Sequence, residues 1–247
     1  MDSWLFWLIG VVGILIARWL PVIAWLSLAG RPDKPELAGW PCSTCKGERE
    51  DHWHFFQWNS CCRDKASGLQ TGVQAVAGLS IWLFTAERGV NVEAWIHLLL
   101  FWFLIIVTLT DYWSGLIPNL FTYSGMVLFF LLRMVFHPQP FIHYLLASLS
   151  AFAGLFILGR VTGGLGGGDA KLLAMAAWVI GWPHVATAFW LAIASACLYI
   201  GWKALRRQPL RAGQPFPFGP HLALGVYVAS LWGDCLLDWY LSWFFSI

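Results

Sequence analysis

Residues 92–119 read Val-Glu-Ala-Trp-Ile-His-Leu-Leu-Leu-Phe-Trp-Phe-Leu-Ile-Ile-Val-Thr-Leu-Thr-Asp-Tyr-Trp-Ser-Gly-Leu-Ile-Pro-Asn, from Val92 to Asn119. From Ala94 to Thr110 the only titratable side chain is His97. An unbroken apolar run of about 20 residues is what a helix needs to cross the hydrocarbon core of a bilayer. The run ends on a carboxylate, Asp111, and Pro118 follows. Proline cannot continue a helix from before it but is well suited to begin one. Asp111 is therefore expected to close one span and Pro118 to open the next.

The rest of the chain repeats the pattern. Of its 247 residues, 59% are hydrophobic and 11% charged, whereas a soluble domain carries about 25% charged residues. The composition excludes a water-faced globule, and the near-neutral charge gives no reason to expect a nucleic-acid partner. Apolar runs predict spans over 4–28, 66–86, 92–110, 119–136, 140–161, 170–182, 184–202 and 220–245. The expected fold is all-α, a polytopic membrane protein of about eight transmembrane helices with one cytoplasmic cysteine-containing loop. In domain terms, 1–28 is a first span, retained because it has neither a basic start nor a small-residue cleavage site. Residues 29–65 form a Cys/His loop, and 66–247 form a transmembrane core. Many of the 18 Trp suit the membrane–water interface, though others fall in mid-span.

Lys and Arg set the orientation, because they stay on the cytoplasmic side. Arg31, Lys34, Lys46, Arg49, Arg63 and Lys65 cluster in the first polar loop, and Lys203, Arg206, Arg207 and Arg211 precede the last span. Eight spans with an outside N-terminus put both clusters inside, leaving only Arg88 and Arg133 toward the outside. The same arrangement puts segments 111–118 and 162–169 on the cytoplasmic side. The second reads Thr-Gly-Gly-Leu-Gly-Gly-Gly-Asp, ending on Asp169. Its glycines break any helix and let the backbone approach a ligand closely, and irregular backbone at membrane depth is tolerated only in protein or beside a wet cavity.

Carboxylates at membrane depth are costly and point to function. Two that share a site hold one proton between them, so one can take a proton from water while the other polarises a carbonyl. Asp111 and Asp169 are the candidate catalytic pair, with acid and base roles unassigned because a coupled pair titrates as a unit. Lys171 reads either as an interfacial anchor or as a charge balance. A competing pair, Asp234 and Asp238, lies four residues apart on one face of the last span, without adjacent helix breaks and at its outer end.

Asp111 with Ile117-Pro118-Asn119, and Gly166-Gly167-Gly168-Asp169-Ala170-Lys171-Leu172, resemble the two aspartate motifs of type IV prepilin peptidases, members of the GxGD class of membrane aspartyl peptidases. Pro215-Phe216-Pro217-Phe218-Gly219-Pro220, followed by Leu222-Ala223-Leu224-Gly225, resembles that family's proline–glycine segment before its last span. The resemblance covers roughly 100–227. It implies removal of the basic leader from prepilins or pseudopilins at the cytoplasmic face of a bacterial inner membrane. Asp111 and Asp169 would be catalytic, supported by Pro118, Asn119, Gly166, Gly168, Lys171, Gly219 and Pro220. It also implies, for bifunctional members, methylation of the new N-terminus with S-adenosylmethionine. The N-terminal part departs from the family: Arg18-Trp19-Leu20-Pro21 matches its Arg-Leu-Pro loosely, without the polar stretch expected before it.

The 29–65 loop holds Cys42-Ser43-Thr44-Cys45, His52, His54 and Cys61-Cys62. A Cys-x-x-Cys turn is half of a common zinc site, and cytoplasmic thiols stay reduced. A structural zinc on Cys42, Cys45, Cys61 and Cys62 is one expectation, with His52 or His54 as a substitute ligand because the second pair is adjacent. Free or buried thiols are the other. Cys197 and Cys235 are expected to be packing residues. His137, His143 and His184 fall at the outer side, and His221 falls near the inner face. No Ser–His or Cys–His arrangement lies near the aspartates. Two other functions compete, an ion-coupled transporter using the membrane carboxylates and a catalytically silent assembly protein.

Overall fold

The structure is a computed structural model that describes residues 13, 15–17, 19–29, 60–89, 91–207 and 216–244. Every regular element among them is helical: α1 (Leu20–Ala29), α2 (Ser60–Arg88), α3 (Val92–Ser114), α4 (Asn119–Val135), α5 (Phe141–Thr162), α6 (Gly167–Ile180), α7 (His184–Leu205) and α8 (Gly219–Phe244). From residue 60 onward a helix stands at each expected position. Most of the first span, and the loop residues Cys42, Cys45, His52 and His54, lie outside the described residues. Cys61 and Cys62 belong to the first turn of α2, which begins at Ser60 and so takes in the last residues assigned to that loop.

Among the described residues four helices, α3, α5, α7 and α8, are long and apolar enough to cross a membrane, which makes the chain a multi-pass membrane protein. The expected eight crossings are not all matched by length. The 14 residues of α6 span about 21 Å at 1.5 Å each, short of the ~30 Å hydrocarbon core.

The chain divides into two compact units, residues 1–83 and 84–247, with α2 running from the first into the second. In the first unit the buried side chains recur at helical spacing, Ala17, Leu20 and Ala24 near α1 and Val73, Ala77 and Ile81 along α2. Each set occupies one stripe, as one-sided packing requires.

The second unit is built around α6. From Asp169 to Ile180 every residue of that helix is buried except Lys171, and α3, α4, α5, α7 and α8 all pack against it. Ala170, Ala174, Ala176 and Ala177 let neighbouring backbones come close, the usual basis of helix association in lipid. Ser148 of α5 donates its hydroxyl to the Ala174 carbonyl at 2.9 Å. On α4, Gly125 leaves room for the Met175 side chain, which an added methyl would strike. Helices α7 and α8 pack along each other, with Gly225 of α8 against the backbone of Ala188 and Ala192 on α7. Further along, α8 kinks at Trp232 (φ −121°, ψ 17°).

A side chain at Gly225 has only backbone to push against. Gly225→Val is therefore expected to cost about 1–3 kcal/mol through overpacking and to lower the thermal midpoint of the detergent-purified protein. Gly154 on α5 has nothing within 4 Å of an added methyl, so Gly154→Ala is expected to leave that midpoint unchanged or slightly raised.

Candidate active site

Asp111 stands in the last turn of α3. Gly115 ends the helix in the left-handed region (φ 63°), and its N–H returns to the Asp111 carbonyl at 2.7 Å. Leu116 and Ile117, without regular structure, lead to Pro118, whose φ of −65° opens α4. The Asp111 side chain is 6% exposed. Its Oδ2 accepts the N–H of Gly219 at 2.9 Å. Gly219 is the first residue of α8, where backbone donors have no partner within their own helix. A methyl on Gly219 would lie 2.7 Å from that same oxygen, so only glycine brings its N–H this close. Pro220 follows in the first turn, where the missing N–H costs nothing.

Asp169 is delivered from the other side. Helix α5 stops at Gly163 (φ 66°), and after Gly166, in extended conformation, α6 begins at Gly167. Asp169 is 8% exposed. The Gly166 N–H donates to Asp169 Oδ2 at 3.1 Å, and the Asp169 N–H donates to the Gly166 carbonyl at 3.1 Å. This reciprocal pair satisfies the helix start and locks the carboxylate to the loop. A methyl on Gly168 would sit 3.0 Å from Ile117 Cβ, so the glycine run lies against the Ile-Pro-Asn segment that follows Asp111. Gly163 and Gly167 would meet nothing within 4 Å, and Gly164 only the Thr162 hydroxyl at 3.8 Å. They form a strip of exposed main chain in front of Asp169.

Lys171 donates to Asn119 Oδ1 at 2.9 Å and lies 4.8 Å above the Tyr123 ring. These contacts tie the start of α6 to the start of α4, a role distinct from the interfacial anchor and the charge balance expected of it.

Burial, and then the Asp111 charge, push the Asp169 carboxyl up to about 6, against the opposing pull of the Gly166 N–H. Asp169 lies outside the four long spans. A carboxyl that holds its proton close to neutrality, beside a second carboxyl, can donate to a carbonyl oxygen while its neighbour accepts from water.

The remaining candidates fall elsewhere. Asp234 Oδ1 accepts from His184 Nε2 at 2.9 Å, and Oδ2 stands 3.7 Å from the Arg88 guanidinium. Both Asp234 and Asp238 are exposed. They stand beyond the kink of α8, at the opposite end of that helix from Gly219. Contrary to the expectation that no Ser–His arrangement lies near the aspartates, Ser195 Oγ stands 3.1 Å from Nδ1 of His221, two residues past Gly219, and 2.9 Å from the Ala192 carbonyl, so its one proton can serve either neighbour. Cys197 and Cys235, expected to pack inside, are exposed instead, each falling on an outward face of its helix. No group of three or more His, Cys, Asp or Glu is placed to hold a metal among the described residues. Sequence reading missed Arg133 and Glu93, whose side chains meet at 2.6 Å. The available signal was an arginine inside the apolar run of α4.

The profile of the type IV leader peptidase family matches residues 98–201, the stretch that contains both aspartates. Among relatives, a prepilin leader peptidase/N-methyltransferase of Bacillus subtilis is 30% identical over 196 residues, covering 76% of this chain and 77% of that protein. Proteins of the same description from Stutzerimonas stutzeri and Pseudomonas aeruginosa are 28% and 27% identical, each over 90% of this chain, with 70% and 69% of their own lengths covered. No solved structure matches the chain. The chain belongs to the type IV leader peptidase family.

The raised Asp169 carboxyl has a consequence for stability. The folded protein keeps this proton to higher pH than the unfolded chain, so the contribution of Asp169 is intact below about 4 and is lost as pH rises through about 6. Asp169→Asn removes that loss. In detergent the variant is expected to match the parent near pH 4 and to be more thermostable near pH 8, by at most about 3 kcal/mol. A gap that does not widen with pH would show that burial does not raise this carboxyl.

Proposed function

We propose that this chain is an aspartyl endopeptidase that removes the leader of type IV prepilins or pseudopilins, with Asp111 and Asp169 as its catalytic pair. What supports this reading is that two buried carboxylates, each held by a glycine N–H, stand at separate helix breaks whose segments meet at Ile117 and Gly168, with the Asp111 charge acting on Asp169. The relatives' names supply the substrate class. The reaction needs only water and the pair. One carboxylate takes a proton as the water oxygen bonds to the carbonyl carbon, and the other carboxyl donates to the carbonyl oxygen. The C–N bond then breaks, the nitrogen takes up a proton, and no acyl-enzyme forms.

The proposed setting is a bacterial inner membrane crossed eight times, with the pair at the cytoplasmic face, as the basic clusters require. Methylation of the new N-terminus with S-adenosylmethionine is a further part of the proposal and rests on the relatives' names. A structural zinc on Cys42, Cys45, Cys61 and Cys62, or with His52 or His54, rests on the Cys-x-x-Cys spacing alone. An ion-coupled transporter is less well supported, since Asp111 lies in the last turn of its span instead of midway.

The test is cleavage of a prepilin-like substrate by the purified full chain, read by mass spectrometry. Asp111→Asn and Asp169→Asn should each lower turnover by about 10³-fold or more, the scale of a lost acid–base group. Gly219→Ala, which forces its methyl onto Asp111, should lower it by about 10- to 100-fold through misplacement of the carboxylate. Undiminished cleavage in either asparagine variant would remove the pair from the mechanism.

A further inference from the structure

The most deeply buried charge in the second unit lies at the far end from the aspartates. Arg133, in the last turn of α4, is 1% exposed. Its Nε donates to the Trp178 carbonyl at 3.0 Å and its Nη2 to the Val179 carbonyl at 2.7 Å. Both carbonyls belong to the last turn of α6, where the helix has no donors of its own to offer and where its dipole favours a cation. Nη1 donates to Glu93 Oε1 at 2.6 Å and to the Phe136 carbonyl at 3.2 Å. Tyr144 covers the guanidinium, with its ring centroid 4.5 Å away.

Glu93 lies in the first turn of α3, the helix whose last turn holds Asp111. Val179 lies in the last turn of α6, the helix whose first turn holds Asp169. One guanidinium thus joins the far ends of the two helices that deliver the two carboxylates. Helix α4 is also tied to the near end, since Asn119 in its first turn accepts from Lys171, two residues past Asp169. It lies along α6 as a strut fastened at both ends, with Gly125 against Met175 between them. Helices are stiff along their axes, so an axial slip at the far end is transmitted to the aspartate at the near end.

We infer that Arg133 is a positioning residue for the carboxylate pair, fixing the axial register of α3 against α6 and hence the separation of Asp111 from Asp169. Its catalytic consequence rests on the proposed role of that pair. The geometric consequence stands without it.

The test has two readouts. Arg133→Met removes every bond. Arg133→Lys keeps the charge but loses the planar fork that reaches several acceptors at once. Glu93→Gln keeps an acceptor and removes the charge. A cavity of about 290 Å³ lies between Glu93, Arg133, Arg88, His97 and Asp234. Glu93 is 31% exposed, so it does not become a dry unpaired charge when Arg133 changes. If Arg133→Met does not fold, the two milder variants decide.

The first readout is turnover per folded molecule on the prepilin-like substrate. It should fall by about 10- to 100-fold in Arg133→Met, as displacements near 1 Å do, with KM within about twofold of the parent and smaller losses in the other two. The second is a distance by pulsed EPR, with spin labels on keto-bearing amino acids at Tyr112 and Gly167, beside the two aspartates. The distribution should broaden or move by about 1–2 Å, the scale of helix slips, in proportion to the loss of turnover. Variants that lose only yield or thermal stability, with turnover per folded molecule and label distance unchanged, would reduce Arg133 to a structural cap and overturn the inference. A parent enzyme that cleaves no prepilin would count against the proposed function, and the label distance would then decide on Arg133 alone.

Discussion

A carboxylate taken out of water keeps its place only where donors meet it, and the donors here are backbone. Gly219 gives its N–H to Asp111, and Gly166 gives its N–H to Asp169. Each donor comes from a helix start or its flank, where the helix leaves N–H groups unused. The three helix breaks of the second unit that bear on the site follow from this need. Helix α3 stops at Gly115 so that its last turn can face Gly219. Helix α5 stops at Gly163 so that a new helix can begin at the right place to present Asp169. Helix α8 begins on a glycine because any side chain there would occupy the space of the Asp111 carboxylate. A side-chain donor such as lysine would hold the acids too, but it would favour full ionisation of both. Neutral backbone donors oppose protonation only in part, so burial and the Asp111 charge still hold the Asp169 carboxyl up.

The burial of α6 follows from the same constraint. Asp169 needs a helix start surrounded by protein, and the helix that begins there stays surrounded by protein to its last turn. Carbonyls without donors at that buried end would be costly. Arg133 fills that role with a charge that would itself be costly without partners, and Glu93, Phe136 and Tyr144 supply them. The acid at one end of α6 and the cation at the other both suit its dipole. Stability and site geometry are thus served by one set of bonds.

Much of this was legible in the sequence. The helices stand where the apolar runs put them, since a run of that length has few other uses. The aspartate pair could be read because each acid sits beside residues that end helices, Gly115 and Pro118 for one and the glycine run for the other. Asn119 and Lys171 could be named, but not that they touch, since they lie 52 residues apart. The centrality of α6 was hidden because its composition resembles that of the spans around it, and hydropathy does not distinguish lipid from protein as a neighbour. Arg133 stood out in the sequence only as a cation toward the outer side, and Glu93 was not singled out. Cys197 and Cys235 were assigned to the interior on hydrophobicity, yet in a bilayer an apolar side chain loses nothing by facing outward.

The open glycines in front of Asp169 differ from the packed ones around it. Gly219 and Gly168 are small because a neighbour occupies the space, whereas Gly163, Gly164 and Gly167 border space that is free. Leu165 interrupts the strip, but at the open glycines a chain laid alongside would meet amide groups, which every amino acid has in common. In the proposed peptidase such a surface would recognise a polypeptide as a polypeptide and be indifferent to its lettering. Discrimination among clients then has to be exercised at a distance from the reacting atoms, which leaves the chemistry generic and the choice of client free to drift.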